Sequence, residues 1–287
     1  MITVAILTLN SAQTLKKTLK SLSSFEEVLI LDTGSQDETF SIAKTFPNVK
    51  LHTSTFIGFG SLRNKAAKLA KNDWILALDS DEELSSALIE EIKHAQLELE
   101  KDKVYSFPFV NFYNGKMVKC CGWHNESHVR LYNRQKTAFT DASVHERVMV
   151  PKGIKVESFQ SPVFHYSMQS IDDFLRKIQR YSSLYAEEHQ GRKKSSTFKA
   201  VFHGSFAFIK SYFFQKGCLY GKEGLVISIY NSSCSFYKYL KLQEKNQSLL
   251  FQERDFLAMK NKEPNKKQDK HTKEQINNAA NSSISSD

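Results

Sequence analysis

Between positions 74 and 83 the chain reads Trp74-Ile75-Leu76-Ala77-Leu78-Asp79-Ser80-Asp81-Glu82-Glu83. An unbroken apolar run of this length is a strand buried on both faces, the kind that parallel sheets contain. Two aspartates two positions apart at its carboxyl end can aim at one point beyond the sheet, where open α/β sheets bind ligands. Hard oxygen donors of this kind suit Mg2+ or Mn2+, which bridges to substrate phosphates. Acidic residues also suit a helix N-terminus, where they meet the positive end of the dipole. Glu82 and Glu83, ahead of a predicted helix over Ser85–Glu100, are expected to serve that second role, and Asp79 and Asp81 the first.

Upstream, strand and helix periods alternate. Strands are predicted at Ile2–Thr8, Glu27–Leu31 and Val49–Thr53, and helices at Ser11–Leu22, Glu38–Thr45 and Leu62–Lys71. Four alternations with short connections are the signature of βαβ units in a mostly parallel sheet covered by helices. The polar residues directly after the strands are therefore the candidates for ligand contact: Asn10, Asp32 and Asp79–Glu82. An aspartate after the second strand commonly accepts hydrogen bonds from a nucleoside. Gly58-Phe59-Gly60-Ser61-Leu62-Arg63 begins like a dinucleotide fingerprint but ends in Arg63 and follows the third strand, so it fails in residue and context. Arg63 is left either to bind a phosphate or to pair with an aspartate.

Downstream the pattern turns aromatic and strand-like over Val104–Tyr113, Lys116–Lys119, Val129–Tyr132 and Phe159–Phe164, a mixed extension of the sheet. A helix is expected over Ile171–Glu188. Phe198–Leu240 holds seven Phe and five Tyr, with Phe198, Phe202, Phe206, Ile209 and Phe213 on one helical stripe and a second helix from Leu225 to Leu240. Lys260–Asp287 is rich in Lys, Gln, Asn and Ser without apolar periodicity, which predicts a disordered tail. The expected division is thus 1–170, an α/β domain; 171–258, a helical basic and aromatic extension; and 259–287, the tail.

A chain of 287 residues with 40% hydrophobic and 25% charged residues has the composition of a soluble globular protein. The N-terminus has no basic leader or small-residue cleavage site, and no run of about 18 apolar residues occurs, so neither a signal peptide nor a simple membrane span is expected. Four cysteines without a CxxC pair exclude a zinc ribbon or a disulfide scaffold and fit a reducing compartment. The net charge of +9 lies wholly in residues 151–287, since residues 1–150 balance 18 basic against 18 acidic side chains. A basic half beside a neutral half points to a polyanionic partner or to a solvated basic surface.

The blocks Ile6–Asn10 (ILTLN), Leu29–Thr39 (LILDTGSQDET) and Arg63–Leu84 (RNKAAKLAKNDWILALDSDEEL) together resemble family-two glycosyltransferases of the GT-A fold. The segments His128–Arg134, Val144-His145-Glu146 and Phe164-His165-Tyr166 resemble the bacterial branch that adds glucose to the inner core of lipopolysaccharide. The resemblance covers about residues 1–240. It implies a UDP-sugar donor whose nucleoside lies among Thr8, Asn10 and Asp32, with Arg63 and Asp79 also on the donor side. It implies that Asp81 coordinates a divalent cation, Mg2+ or Mn2+, on the diphosphate. His165 is a candidate further metal contact or a core histidine. Glu146 is the expected general base, with Asp141 as its rival. Arg130, Arg134 and His145 are the expected acceptor contacts; the two arginines suit either acceptor phosphates, bound bidentately, or salt bridges.

The implied reaction is one in-line displacement that inverts the anomeric carbon. The implied acceptor is a phosphorylated lipid-linked glycan, which suggests a cytoplasmic enzyme peripheral to the inner membrane. The Phe198–Leu240 segment then has three readings: core helices, a membrane-interface face binding anionic lipid, or a platform for single-stranded nucleic acid. A lipid-anchored acceptor favours the second, and no nucleic-acid partner is expected. Other enzyme and binding classes are a nucleotidyltransferase and a basic nucleic-acid-binding α/β protein.

Overall fold

The computed structural model describes residues 1–262 apart from 97, 125 and 143–145. β1 (Ile2–Thr8), β2 (Glu27–Asp32), β3 (Val49–Thr53) and β4 (Trp74–Asp79) are joined by α1 (Ala12–Ser21), α2 (Thr39–Lys44) and α3 (Phe59–Leu69). The strands pair in parallel in the order β3-β2-β1-β4. Their side chains alternate between two cores, as period-two geometry requires. Val4, Ile6, Leu76 and Leu78 face one side, where they meet Leu15 and Leu19 of α1 and Leu88 and Ile92 of α4 (Ser86–Ala95). Ala5, Leu29, Ile75 and Ala77 face the other, against Leu62, Ala66 and Ala67 of α3. Because the chain runs β1-β2-β3 in one direction and then returns to place β4 on β1's other side, a crevice opens at the carboxyl ends of β1 and β4.

The sheet continues through β5 (Glu82–Leu84), β6 (Lys103–Tyr113), β7 (Lys116–Met117), β8 (Glu126–Asn133), β9 (Lys155–Ser158) and β10 (Val163–Met168). Its order beyond β4 is β8-β6-β10-β5, with β7 and β9 also paired to β6. β8 runs antiparallel to β4 and β6, and β10 parallel to β6. The whole is a mixed, mostly parallel α/β sheet flanked by helices, the fold class expected.

Two local expectations fail for physical reasons. Glu82 and Glu83 do not start a helix: they lie in β5, which pairs with β10. The first turn of α4 has no acidic residue, and its cap is the Ser85 hydroxyl, which accepts from the Leu88 amide at 3.2 Å. The strand expected at Phe159–Phe164 is displaced to Val163–Met168, and β9 is exposed at every position, so it carries no apolar pattern to read.

Past the sheet lie α5 (Ile171–His189), α6 (Thr197–Ile209), a π-helical turn (Lys210–Phe214), a 3-10 turn (Gly217–Tyr220) and α7 (Gly221–Lys262). Ser170 and Asp173 form a reciprocal capping box at the start of α5. α5 and α6 both pack on α7. Gly204 lets α6 approach: a Cβ there would lie 3.1 Å from the Phe236 Cβ. A third apolar cluster containing Tyr113, Cys120, Phe174 and Ile227 joins this helical layer to the edge of the sheet. α7 runs past the expected start of the tail at 259, and residues 263–287 lie outside those described. Among the described residues no helix is long and apolar enough to cross a membrane.

Candidate active site

The crevice at the ends of β1 and β4 is a cavity of about 600 Å3. It gathers seven of the expected site residues on one wall system: Thr8, Asn10, Asp79, Asp81, Arg130, Glu146 and His165. The register explains the meeting of the first four, since Leu7 pairs with Asp79 and Thr8 with Asp32.

Asp79 sits in a cluster of fixed charges. One carboxylate oxygen pairs with Arg63 and the other accepts from Arg130 at 3.2 Å. Burial opposes its charge, yet the two guanidiniums hold its pKa well below the carboxylate range. Arg63 is buried, donates also to the Leu78 carbonyl at 2.6 Å, and is not a wall of the cavity. Of its two sequence readings, pairing with an aspartate is the one seen. Arg130 donates to Glu82 at 2.8 Å and lies over the Phe109 ring. One guanidinium nitrogen is thus engaged in internal salt bridges, while the residue also lines the cavity. Glu82 accepts the Asp79 amide at 2.8 Å and is fully buried. Burial, together with the neighbouring Asp79 and Asp81 charges, pushes its pKa up to about 7 against the opposing effect of Arg130. Sequence reading missed this role because an EE pair before a helix looks like a dipole partner.

Asp81 faces His165 across the cavity, Oδ2 to Nε2 at 3.6 Å. The orientation of His165 is set from behind. Asn111 donates to the Trp123 carbonyl at 3.0 Å and to Glu126 at 3.2 Å, which fixes its amide. Its oxygen therefore faces His165 Nδ1, 2.8 Å away, so Nδ1 carries the proton and Nε2 is turned toward Asp81. Burial opposes the charged form of His165, but the Asp81 carboxylate raises its pKa. Burial likewise works against the Asp81 charge, while His165 lowers that pKa. Asp81 and His165 fit a divalent cation as an oxygen and a nitrogen donor oriented to one point. Among the described residues no group of three or more His, Cys, Asp and Glu is arranged to hold a metal. Further ligands would come from phosphate oxygens and water, the usual manner for Mg2+ beside nucleotides.

Asp32 ends β2, opposite Thr8. It is fully buried and accepts four hydrogen bonds: from Thr8 Oγ1 at 2.7 Å, Ser35 Oγ at 2.5 Å, and the Gly34 and Ser35 amides at 2.9 and 2.8 Å. Four bonds use a carboxylate's capacity, so Asp32 ties the β1 and β2 ends together beneath the cavity wall that Thr8 forms. Asn10, with a left-handed φ of 50°, accepts from the Gln36 amide at 2.8 Å and remains exposed to the cavity.

Glu146 stands across the cavity with its Oε1 4.0 Å from Arg63 Nε. Its rival Asp141 opens instead onto a second cavity lined by Tyr132 and Arg134, and accepts from Asn64 at 3.3 Å. The segment leading to Glu146 is pressed onto the first turn of α3. The Gly60 amide donates to the Ala142 carbonyl at 3.2 Å, and a Cβ on Gly60 would lie 1.8 Å from the Thr140 carbonyl oxygen. His145 lies outside the described residues. Arg134 is far from the cavity: it pairs with Asp73 at 3.0 Å, before β4, and caps α3 by donating to the Ala67 and Ala70 carbonyls. Of its two sequence readings, the salt bridge is the one seen.

The roof of the cavity comes from α5. Asp173, Lys177, Arg180 and Tyr181 lie on one face at helical spacing and line it. Burial, and then the Asp79 carboxylate, raises the Tyr181 pKa. Arg180 also lies over the Phe56 and Phe59 rings, with its guanidinium carbon 5.5 and 4.9 Å from their centroids. The i, i+3, i+4 spacing of these residues was legible, but nothing in a single sequence says which face of a basic helix meets the sheet.

Residues 3–160 match the model of the family described as glycosyl transferase family 2. A glycosyltransferase of Rickettsia typhi is 28% identical over 255 residues, covering 85% of this chain and 87% of its own. The lipopolysaccharide core biosynthesis glycosyltransferase LpsC of Rhizobium meliloti is 23% identical, covering 84% of this chain and 91% of its own. Among solved structures, S. aureus TarS 1-349 in complex with UDP-GlcNAc superposes with a TM-score of 0.45 at 14% identity, covering 88% of this chain and 91% of that one.

Proposed function

The chain belongs to glycosyl transferase family 2, and on that premise we propose that it is an inverting enzyme that moves a hexose, glucose in the first instance, from a UDP-sugar to a phosphorylated lipid-linked glycan of the lipopolysaccharide-core type. The observation that carries this reading is the joint presence of Asp81, His165 and Glu146 in one cavity at the ends of β1 and β4. The likeness to LpsC supports the acceptor class.

In this reading the nucleoside lies beside Thr8 and Asn10, on the shelf that Asp32 braces. Asp81 and His165 would hold Mg2+ or Mn2+, which when bound would supply positive charge beside the diphosphate. Asp79, held by Arg63 and Arg130, borders the donor. Lys177 and Arg180 of the roof, not Arg130 and Arg134, take the anionic groups of donor or acceptor. The acceptor hydroxyl attacks the anomeric carbon from the face opposite the diphosphate. Glu146 takes its proton, and the carbon–oxygen bond to the diphosphate breaks with its electron pair leaving on UDP. Positioning and proton transfer are the protein's contributions. Residues 1–170 are the catalytic unit and 171–258 a layer that roofs it and faces a membrane.

The test is UDP release and sugar transfer with a panel of UDP-sugars, with and without Mn2+, onto a phosphorylated glycolipid. UDP release that requires metal and rises with acceptor is expected. No UDP binding and no turnover of any UDP-sugar would overturn the reading.

A further inference from the structure

Among the described residues, none packs on the outer side of α6. Its inner side, Ala200 and Gly204, is buried against α7. Its outer side carries Phe198, Phe202, Phe206 and Ile209, and the π-helical turn extends the face with Phe213 and Phe214. Phe198 is 81% exposed and Phe214 78%, and Leu219 beside them is 74% exposed. Contiguous exposed aromatics on this scale mark an interaction surface, since monomeric soluble proteins seldom present them. Core packing, one of the readings open from sequence, is not what these rings do.

The border of the face decides its occupant. Arg192, Lys193, Lys194, Lys210, Lys216 and Lys222 are exposed around it. Lys199 differs: it is turned inward, donating to the Lys194 carbonyl at 3.2 Å with its ammonium 5.1 Å from the Tyr239 ring. A second copy of this chain would bring the same cations against them. An anionic lipid surface complements both features, with headgroups meeting the ammonium groups and the phenyl rings entering the acyl boundary.

We infer that the outer face of α6 and of the π-helical turn after it docks this protein on an anionic membrane. The docking face and the catalytic roof share one helical layer, because α5 and α6 both pack on α7. Docking therefore fixes the direction in which Lys177 and Arg180 present the cavity to the membrane. This deepens the reading of a lipid-borne acceptor, but vesicle binding is measured without donor or acceptor, so the two can fail separately.

The experiment is sedimentation of the full chain with vesicles containing phosphatidylglycerol, against vesicles of phosphatidylcholine alone, at low and high salt. Retention on the anionic vesicles, weakened by salt, is expected. Lys194→Gln with Lys210→Gln and Lys216→Gln should reduce partitioning about 100-fold at low salt, at about fivefold per lysine. Phe202→Ser with Phe206→Ser should abolish retention at either salt while the circular-dichroism melt stays that of the parent, because these rings support no core. A folded double variant that still sediments like the parent would overturn the inference. So would loss of the fold in that variant together with wild-type retention in Phe198→Ser/Phe214→Ser. A dimer in light scattering that dissociates in the Phe variants, without vesicle binding, would assign the face to a second copy instead. Capture of a single-stranded oligonucleotide with no vesicle retention would assign it to nucleic acid and likewise refute it.

Discussion

Replacing Asp81 by Asn separates charge from shape at the centre of the cavity. The side chain keeps its volume, and the backbone carbonyl still accepts from the Tyr166 amide at 2.9 Å. What is lost is one negative charge 3.6 Å from His165 Nε2. That contact is partly solvated, with a quarter of the Asp81 side chain exposed, so its loss should cost the fold less than about 1 kcal/mol. Catalysis should suffer far more. A neutral amide and an imidazole would hold a cation more weakly, and a site left without its cation forgoes the stabilisation of charge developing on the diphosphate, an effect worth several kcal/mol. A loss of about 4 kcal/mol corresponds to roughly a thousandfold in rate at about 1.4 kcal/mol per decade. The assay is UDP release against Mn2+ concentration, paired with a thermal melt. Asp79→Asn is the control. It strips a partner from buried Arg63 and from the partly exposed Arg130, but the Asp79 side chain is itself 39% exposed, so solvent screening should keep the stability loss to about 1 kcal/mol while donor binding weakens. If Asp81→Asn turns over within threefold of the parent with the same metal dependence, the assignment of the metal to this aspartate is wrong.

Glu146→Gln should lower kcat about 10²- to 10⁴-fold with donor affinity unchanged, measured by steady-state kinetics and calorimetry. Asp141→Asn should stay near the parent, because Asp141 faces the other cavity; the reverse pattern would make Asp141 the base. Asp32→Asn should destabilise the chain by about 3 kcal/mol, since the amide cannot accept all four bonds that the carboxylate takes. Burial opposes the Asp32 charge, but the Ser35, Thr8 and Gly34 hydrogen bonds bring its folded pKa below the usual value near 3.8. Its contribution is therefore present above that value and lost as pH falls through the folded pKa; acid melts of the Asn variant should lack this component. Lys177→Met with Arg180→Met should raise KM for donor or glycolipid acceptor more than it lowers stability, as both side chains face the cavity.

The first 79 residues were readable because each strand is a short apolar run and the helices between them show apolar stripes or strong helix-forming composition. Asn10, Asp79 and Asp81 followed from strand ends and Thr8 from the family resemblance, and the parallel topology brought them together. The failures have a common cause. Asp32, Arg63, Arg130 and Glu82 are polar residues whose partners lie 2 to 51 positions away, so the choice between ligand and neighbour, left open for both arginines, has no local signature, and a strand-end aspartate reads the same in either role. Arg134 caps α3 through the carbonyls of Ala67 and Ala70, a long-range contact without sequence signature. β9 has no buried face and so no alternation to find. The aromatic stripe of α6 was legible as a stripe, but whether it packs or projects depends on which side Gly204 presents to α7.

The clash that any side chain at Gly60 would make with Thr140 bears on alignment. α3 supports Asp79 through Arg63, and with its first turn it also supports the segment that leads to Glu146. In the proposed reaction the donor side, through Asp79, and the proton-accepting side, through the segment before Glu146, would thus take their position from one helix. In-line chemistry is sensitive to the separation of these two sides, since a displacement of about 1 Å can cost about a hundredfold in rate. The absent Cβ at position 60 works as a tolerance: an alanine there would act as a spacer, backing Glu146 away from the anomeric carbon while leaving every charge in the cavity in place.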